Sequence, residues 1–396
     1  MMKVYFVVCE PSERMFNHFV PSLANALQKQ GCEVVYGLER LWTDDVFDCD
    51  IVHFQWPEFV FGNQKKEFSD NDITRISHRL IQLKEKGIKI FVQVHNLKPH
   101  SAPLPPKGGY PSQQNPPHRG QGGLTPPLGG WGAMYQLLYL QADVIVHMGR
   151  YSCELLQSQY PNAQHVVIPH HIYDDVYSFD IPQEEARQRL HLPTDKKIIL
   201  SFGKFRNDKE RQFVLKLAQK QAPKPPKGGV AAHSEAPPLG GWGAGALFLM
   251  PGFYRETLHT WNPKKFITRL FHTINYRLKG IKFCHEVIPD DLMQCYFCAA
   301  DVVLIQRLDI LNSGNLPMAF HAGKVVVGPD VGNVGQILRE TGNFTFDPHD
   351  MRSAVIALQK ALTETTKGKE NRTYAIEQWA SELIATTLFK IYKQAP

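Results

Sequence analysis

Short apolar runs recur along the chain, each followed by a stretch with helical spacing: KVYFVVC (3–9), DIVHFQ (50–55), IKIFVQV (88–94), DVIVH (143–147), KIILSF (197–202), ALFLM (246–250), VVLI (302–305) and VVV (325–327). The runs are continuous rather than alternating, as expected of strands covered by helices on both faces. Strand and helix in regular succession specify an α/β chain built on doubly wound parallel sheets. At 396 residues the chain exceeds one ordinary core, so two such domains are expected. We place the first at 1–175 and the second at 176–370, with a linker over 172–195. A last amphipathic helix spans 371–393 and is expected to pack back on the first domain within 371–396.

Two stretches break the rhythm. PPKGG and PPLGGWGA occur at 105–109 and 126–133, and again at 225–229 and 237–244. Rich in Pro and Gly, with little to bury, these blocks read as surface insertions at about 103–133 and 223–244. The first follows a strand and so leaves the ligand-binding edge of its sheet, whereas the second joins a helix to a strand at the opposite edge. Deleting 223–244 is therefore expected to be nearly silent, and deleting 103–132 to alter turnover.

The charge balance, 44 Lys and Arg against 38 Asp and Glu, is too mild and dispersed for a nucleic-acid partner. It suits a small polyanion, and with Trp56, Phe59 and Phe61 it leaves room for peripheral contact with a membrane. No run reaches the ~18 apolar residues of a membrane span, and the N-terminus enters a strand directly, so a cytoplasmic location is expected. The seven cysteines are scattered through apolar segments and read as reduced core thiols. Cys295 and Cys298 sit on a helix near Cys284-His285, a packing position rather than a zinc site. Asp48-Cys-Asp50 opens a strand and is not a metal-binding pair.

Three clusters fall just beyond strand ends. In SFGKFRNDK (201–209) Gly203 allows a tight turn, Arg206 offers a two-pronged phosphate donor, and Lys209 a point charge. Asn312, Ser313 and Gly314 stand where a helix is expected to open, and unpaired amides at such a terminus attract anions. His95, with Asn96, Lys98 and His100, ends the strand 88–94.

With DIVHFQWPE (50–58), VHNLKPH (94–100), VIPHHIYDDVY (167–177), FGKFRNDK (202–209) and ADVVLIQRLDILNSGNLPMAFHAGKVVVGPDVG (300–332), the chain resembles the family 4-like glycosyltransferases of GT-B architecture. The resemblance implies two Rossmann-like doubly wound parallel-sheet domains facing a central cleft. It implies a nucleotide-diphosphate sugar donor, a glycan or lipid-linked acceptor, no cofactor and no obligatory metal. By that likeness Gly203, Arg206 and Lys209 hold the diphosphate, Asn312, Ser313 and Gly314 contact phosphate, and His95 faces the transferred sugar as the catalytic residue. Retention of anomeric configuration, and a role in cell-surface polysaccharide assembly, come with it. The chain departs from the family at the usual pair of glutamates, whose places hold Ile310 and Met318, so the donor sugar is not implied. A nucleotide-sugar epimerase and a non-catalytic nucleotide-sugar-binding protein are the competing readings; an NAD-dependent dehydrogenase lacks its glycine fingerprint after the first strand.

Overall fold

A computed structural model describes residues 1–10, 17–62, 68–97, 131–221, 246–252, 280–284 and 288–395. The chain divides into two compact units, Met1–Pro169 with Glu382–Pro396, and His170–Ser381.

The first unit runs β1 (Met2–Val7), α1 (Phe19–Lys29), β2 (Cys32–Val35), β3 (Ile51–Phe54), α2 (Asp70–Glu85), β4 (Lys89–Val94), α3 (Trp131–Gln141), β5 (Val144–His147), α4 (Arg150–Leu156) and β6 (Gln164–Val167). All pairings are parallel, in the order β2-β1-β3-β4-β5-β6. The inner strands β3 and β5 are buried along their whole length, which is why their sequences do not alternate. Helix α2 starts where Ser69 and Asp72 cap each other's backbone amides, a reciprocal pair that fixes its first turn. Asp48 and Asp50 are structural: Lys3 donates its ammonium to Asp48 at 2.7 Å and its backbone amide to Asp50 at 2.6 Å.

The second unit runs α5 (Gln183–Arg189), β7 (Ile198–Leu200), α6 (Asp208–Gln221), β8 (Leu247–Pro251), β9 (Ile281–Cys284), α7 (Asp290–Ala299), β10 (Val302–Leu304), α8 (Asn315–His321), β11 (Val325–Pro329), α9 (Gly332–Glu340), β12 (Phe344–Phe346), α10 (Met351–Thr363) and α11 (Lys367–Trp379). Its sheet is also parallel, ordered β12-β11-β10-β7-β8-β9. The chain winds outward from β7 to β9, then returns to β10 and winds the other way. The crevice beyond the C-terminal ends of β7 and β10 is thus the switch point where open α/β sheets take ligands.

Several expectations are corrected. The linker over 172–195 carries α5. Its Arg187 is buried and saturated, giving hydrogen bonds to the Ala299 and Thr194 carbonyls and to Asp301. Helix α3 begins at Trp131, so the last residues of the first Pro/Gly block belong to it; the rest of that block and the whole of 223–244 lie outside the described residues. The single helix expected over 371–393 is two, because Ala380 turns extended at φ −54° and ψ 137°. Trp379, at the end of α11, stacks on Phe320 at 5.0 Å within the second unit. The next helix, α12 (Ser381–Gln394), belongs to the first unit from Glu382 onward. There Ile384, Ala385, Leu388 and Tyr392 are buried, and Tyr392 packs edge-on to Phe91 and bonds His53 Nδ1 at 2.7 Å.

Cys9, Cys32, Cys49, Cys153, Cys295 and Cys298 form no disulfide among the described residues, and the Cys298 thiol donates to the Phe179 carbonyl. Phe61 stacks on Trp42, and Trp56 on His95, so these rings are engaged in packing. No helix among the described residues is long and apolar enough to cross a membrane.

Candidate functional site at the second switch point

The loop Ser201–Asn207 leaves β7 and turns at Gly203, whose φ of +91° is open to glycine and costly for other residues. A Cβ built there would meet nothing within 4 Å among the described residues. The turn is held from beneath. Gln306, just past β10, gives its amide to the Phe202 carbonyl at 2.8 Å, and Asn315, the first residue of α8, gives its own to the same oxygen at 2.9 Å. Asn207 caps α6 by accepting from the Glu210 amide at 2.9 Å.

Glu210 organises the charges. It is buried, accepts the Arg206 amide at 2.8 Å, and pairs with Arg307 Nη1 at 2.9 Å. One carboxylate therefore anchors the backbone of one arginine and the side chain of another. Among the described residues the Arg206 guanidinium has no carboxylate within salt-bridge reach. Crowding by protein, and then the neighbouring Arg307, hold it below the usual arginine range, with Glu210 and Asp309 opposing. Glu210 thus neutralises Arg307, whereas Arg206 keeps no ion-pair partner among the described residues, and an anion would supply one. Ser201 Oγ and Gln306 Oε1 are buried at the same strand ends with no partner among the described residues. Lys209 is exposed on the first turn of α6.

The Asn312-Ser313-Gly314 segment differs from its expected form. Helix α8 starts at Asn315 and has only seven residues, with no side-chain cap at Gly314. The Asn312 side-chain oxygen Oδ1 accepts from Asn333 Nδ2 at 2.8 Å, tying this loop to the first turn of α9 rather than capping α8. Leu316 gives its amide to the Ser313 carbonyl and Pro317 has none, so fewer open donors remain than the sequence suggests. Gly314 instead lies beside two groups from the start of this unit: an added Cβ would stand 3.5 Å from Tyr173 Oη and 3.8 Å from His170 Nε2. Burial pushes His170 down to about 4, and its Nδ1–H donates to the His171 carbonyl at 2.8 Å, so Nε2 presents an acceptor at neutral pH.

In the first unit, His95 is half-buried at the end of β4. It stacks on Trp56 at 4.1 Å, meets Phe19 edge-on at 4.9 Å, and reaches Gln55 Oε1 at 3.0 Å through Nε2. An amide oxygen only accepts, so Nε2 carries a hydrogen in this contact. Trp56 is followed by buried Glu58, which accepts from Tyr135 on α3. Lys98 and His100 lie outside the described residues.

Arg307, Glu210, Gln306 and Asn315 were not singled out in the sequence. Glu210 had a signal, since Asn207 and Glu210 carry the spacing of a helix-start box. Arg307 and Gln306 had a weaker one, polar residues directly after a buried strand.

Two parallel six-stranded sheets, the second with its strand order reversed about β7 and β10, leave a narrow choice of architecture. The fold is GT-B. Over its whole length this GT-B chain superposes on sucrose-phosphate synthase from Thermosynechococcus elongatus with a TM-score of 0.66 at 14% identity, covering 99% of that chain. An Anabaena protein solved with UDP and glucose superposes at 0.61 and 11% identity, with both chains fully covered. The catalytic domain of starch synthase IV from Arabidopsis thaliana, solved with ADP and acarbose, gives 0.58 and 11%, covering 100% of this chain and 99% of that one. No protein-family model and no curated protein sequence matches.

Proposed function

We propose that the protein is a glycosyltransferase that moves a sugar from a nucleoside-diphosphate donor to a glycan or lipid-linked acceptor. What carries this reading is the Arg206 guanidinium at the β7/β10 switch point, without an ion-pair partner among the described residues while the buried Glu210 anchors its backbone and pairs with Arg307. As the glycosyl bond breaks, the departing diphosphate gains negative charge, and fixed guanidinium groups stabilise that state more than the ground state. Arg206 is the phosphate ligand, Arg307 is held in place by Glu210, and Gly203, with no Cβ, lets backbone approach the diphosphate. Lys209 supplies longer-range attraction, and His95 in the first unit faces the transferred sugar. Solved chains of this fold holding UDP or ADP support the donor class. Retention of configuration, activity without added magnesium and a role in surface polysaccharide assembly complete the proposal.

Arg206→Ala tests it. Losing one charge-assisted partner is worth about 1.5–3 kcal/mol, so the donor KM should rise and kcat fall, together by roughly ten- to a hundredfold in kcat/KM. Unchanged kinetics and unchanged nucleoside-diphosphate affinity would remove the phosphate assignment. Affinity that depends on Arg206, with no product from any donor, would make the protein a nucleotide-sugar binder instead. The anomeric outcome is read by NMR of the product, and magnesium independence by the rate with and without the ion.

A further inference from the structure

At the β5–α4–β6 corner of the first unit, His147 Nε2, Cys153 Sγ and His165 Nδ1 all lie within 4.8 Å of one another. His147 is buried at the end of β5, Cys153 is half-buried on α4, and His165 is half-buried on the edge strand β6. The two imidazole planes lie 17° apart with centroids 5.2 Å apart and Nε2 of His147 2.9 Å from Nδ1 of His165, so the rings meet edge to edge with these nitrogens pointing at each other.

The hydrogen inventory around that contact constrains what lies between the rings. His165 Nε2 is 2.9 Å from the Tyr160 carbonyl oxygen, which can only accept, so Nε2 carries the hydrogen and Nδ1 is a lone pair. Ser152 Oγ donates to the Gly149 carbonyl at 3.1 Å, so at 3.2 Å it accepts from His147 Nδ1. His147 Nε2 is then a lone pair as well. Two lone pairs facing each other at this range repel unless positive charge sits between them, and a thiol sulfur stands beside them. The outer nitrogen of each ring is bonded to an oxygen, the arrangement that orients histidines toward a metal.

We propose that His147, Cys153 and His165 form a three-ligand site for a borderline-soft divalent cation, best matched by zinc. Two imidazole nitrogens and a thiolate suit zinc rather than magnesium or calcium, which take oxygen ligands. Two zinc–nitrogen bonds of about 2.0–2.1 Å at a tetrahedral angle set the nitrogens about 3.3–3.4 Å apart, so the rings would part by about half an ångström and tilt toward the Cys153 sulfur. The fourth position is open to water or an added ligand, and the half-exposed His165 and Cys153 at the sheet edge give the ion a way in. Bound there, the ion would clamp α4 to the edge strand. This is separate from the phosphate site of the second unit and does not depend on the glycosyltransferase reading.

The test uses the full chain, stripped with a chelator and titrated with Co2+ and then Zn2+ against a competing chromophoric chelator. One equivalent of cobalt should give tetrahedral ligand-field bands and a thiolate-to-cobalt charge-transfer band, both displaced by zinc. Zinc should also raise the Tm. Cys153→Ser should abolish the charge-transfer band and weaken zinc at least about tenfold, and Ser152→Ala should weaken it by about 10–100-fold. Absence of saturable binding would overturn the proposal, leaving a hydrogen-bond chain in which the Ser152 hydroxyl turns to His147. Binding unchanged in both Cys153→Ser and His165→Gln, with each variant shown folded by circular dichroism, would place the ion elsewhere and overturn it equally.

Discussion

Two glycines show how residues of one type answer to different demands. Gly203 and Gly332 both have positive φ, +91° and +59°. At Gly203 an added methyl meets nothing within 4 Å among the described residues, whereas at Gly332 it would lie 2.4 Å from the Ile310 carbonyl oxygen and 2.8 Å from Leu311 Cα. Gly203→Ala should therefore cost only the backbone strain, about 1 kcal/mol, and show its larger effect on donor affinity. Gly332→Ala adds a backbone clash and should cost at least about 2–3 kcal/mol. Urea midpoints of the two variants, beside nucleoside-diphosphate affinity, check the contrast. Sequence could flag Gly203, because a basic loop follows a strand there. It could not flag Gly332, whose neighbour Ile310 is distant along the chain. Arg206 was legible as a cation at a helix start, where the dipole disfavours it. Glu210, which holds the arrangement, showed only its helix-start spacing from Asn207, with nothing to mark its pairing with Arg307.

Among elements, the strands were legible and some helices were not, for one reason. A strand buried on both faces writes itself as a β-branched run, so β1, β3, β4, β5, β10 and β11 were located to within a residue or two. Helix α5, QEEARQR, has no apolar stripe, because the side chain it buries with Ala186 is Arg187. That guanidinium satisfies Asp301 at 2.7 Å and two backbone carbonyls. Arg187→Ala would strand those groups, and losing one partner of a buried pair should cost about 3 kcal/mol or more. Chemical denaturation of the full chain measures it; a loss under about 0.5 kcal/mol would mean α5 carries little of the fold. The opening of helix α8 at Gly314 was legible, but what its flanking residues do was not. Asn and Ser before it looked like caps, but Asn312 is committed to Asn333 on α9, a long-range contact without local trace.

For the whole molecule, pH dependence follows from buried histidines. Burial brings His53 down from 6.5 to about 3. Between those values the unfolded chain binds a proton that the folded chain refuses, so stability falls as pH falls below about 6.5 and is unaffected by this group above it. Each pH unit in that window costs about 1.4 kcal/mol for such a group. His170, at about 4, adds to the slope down to its own value. Urea unfolding from pH 7.5 to 5 should show the decline, and His53→Gln should flatten it while leaving Tyr392 an amide to bond. Sequence patterning showed two α/β halves, yet not that α12 returns to the first, since amphipathicity gives a face and no address. That return has a consequence for synthesis. A ribosome releases all six strands of the first sheet long before residues 381–394 emerge, so the seat for Leu388 and Tyr392 against Phe91 and His53 waits, unfilled, until the whole second unit has been made. The half that is made first is the half that is finished last.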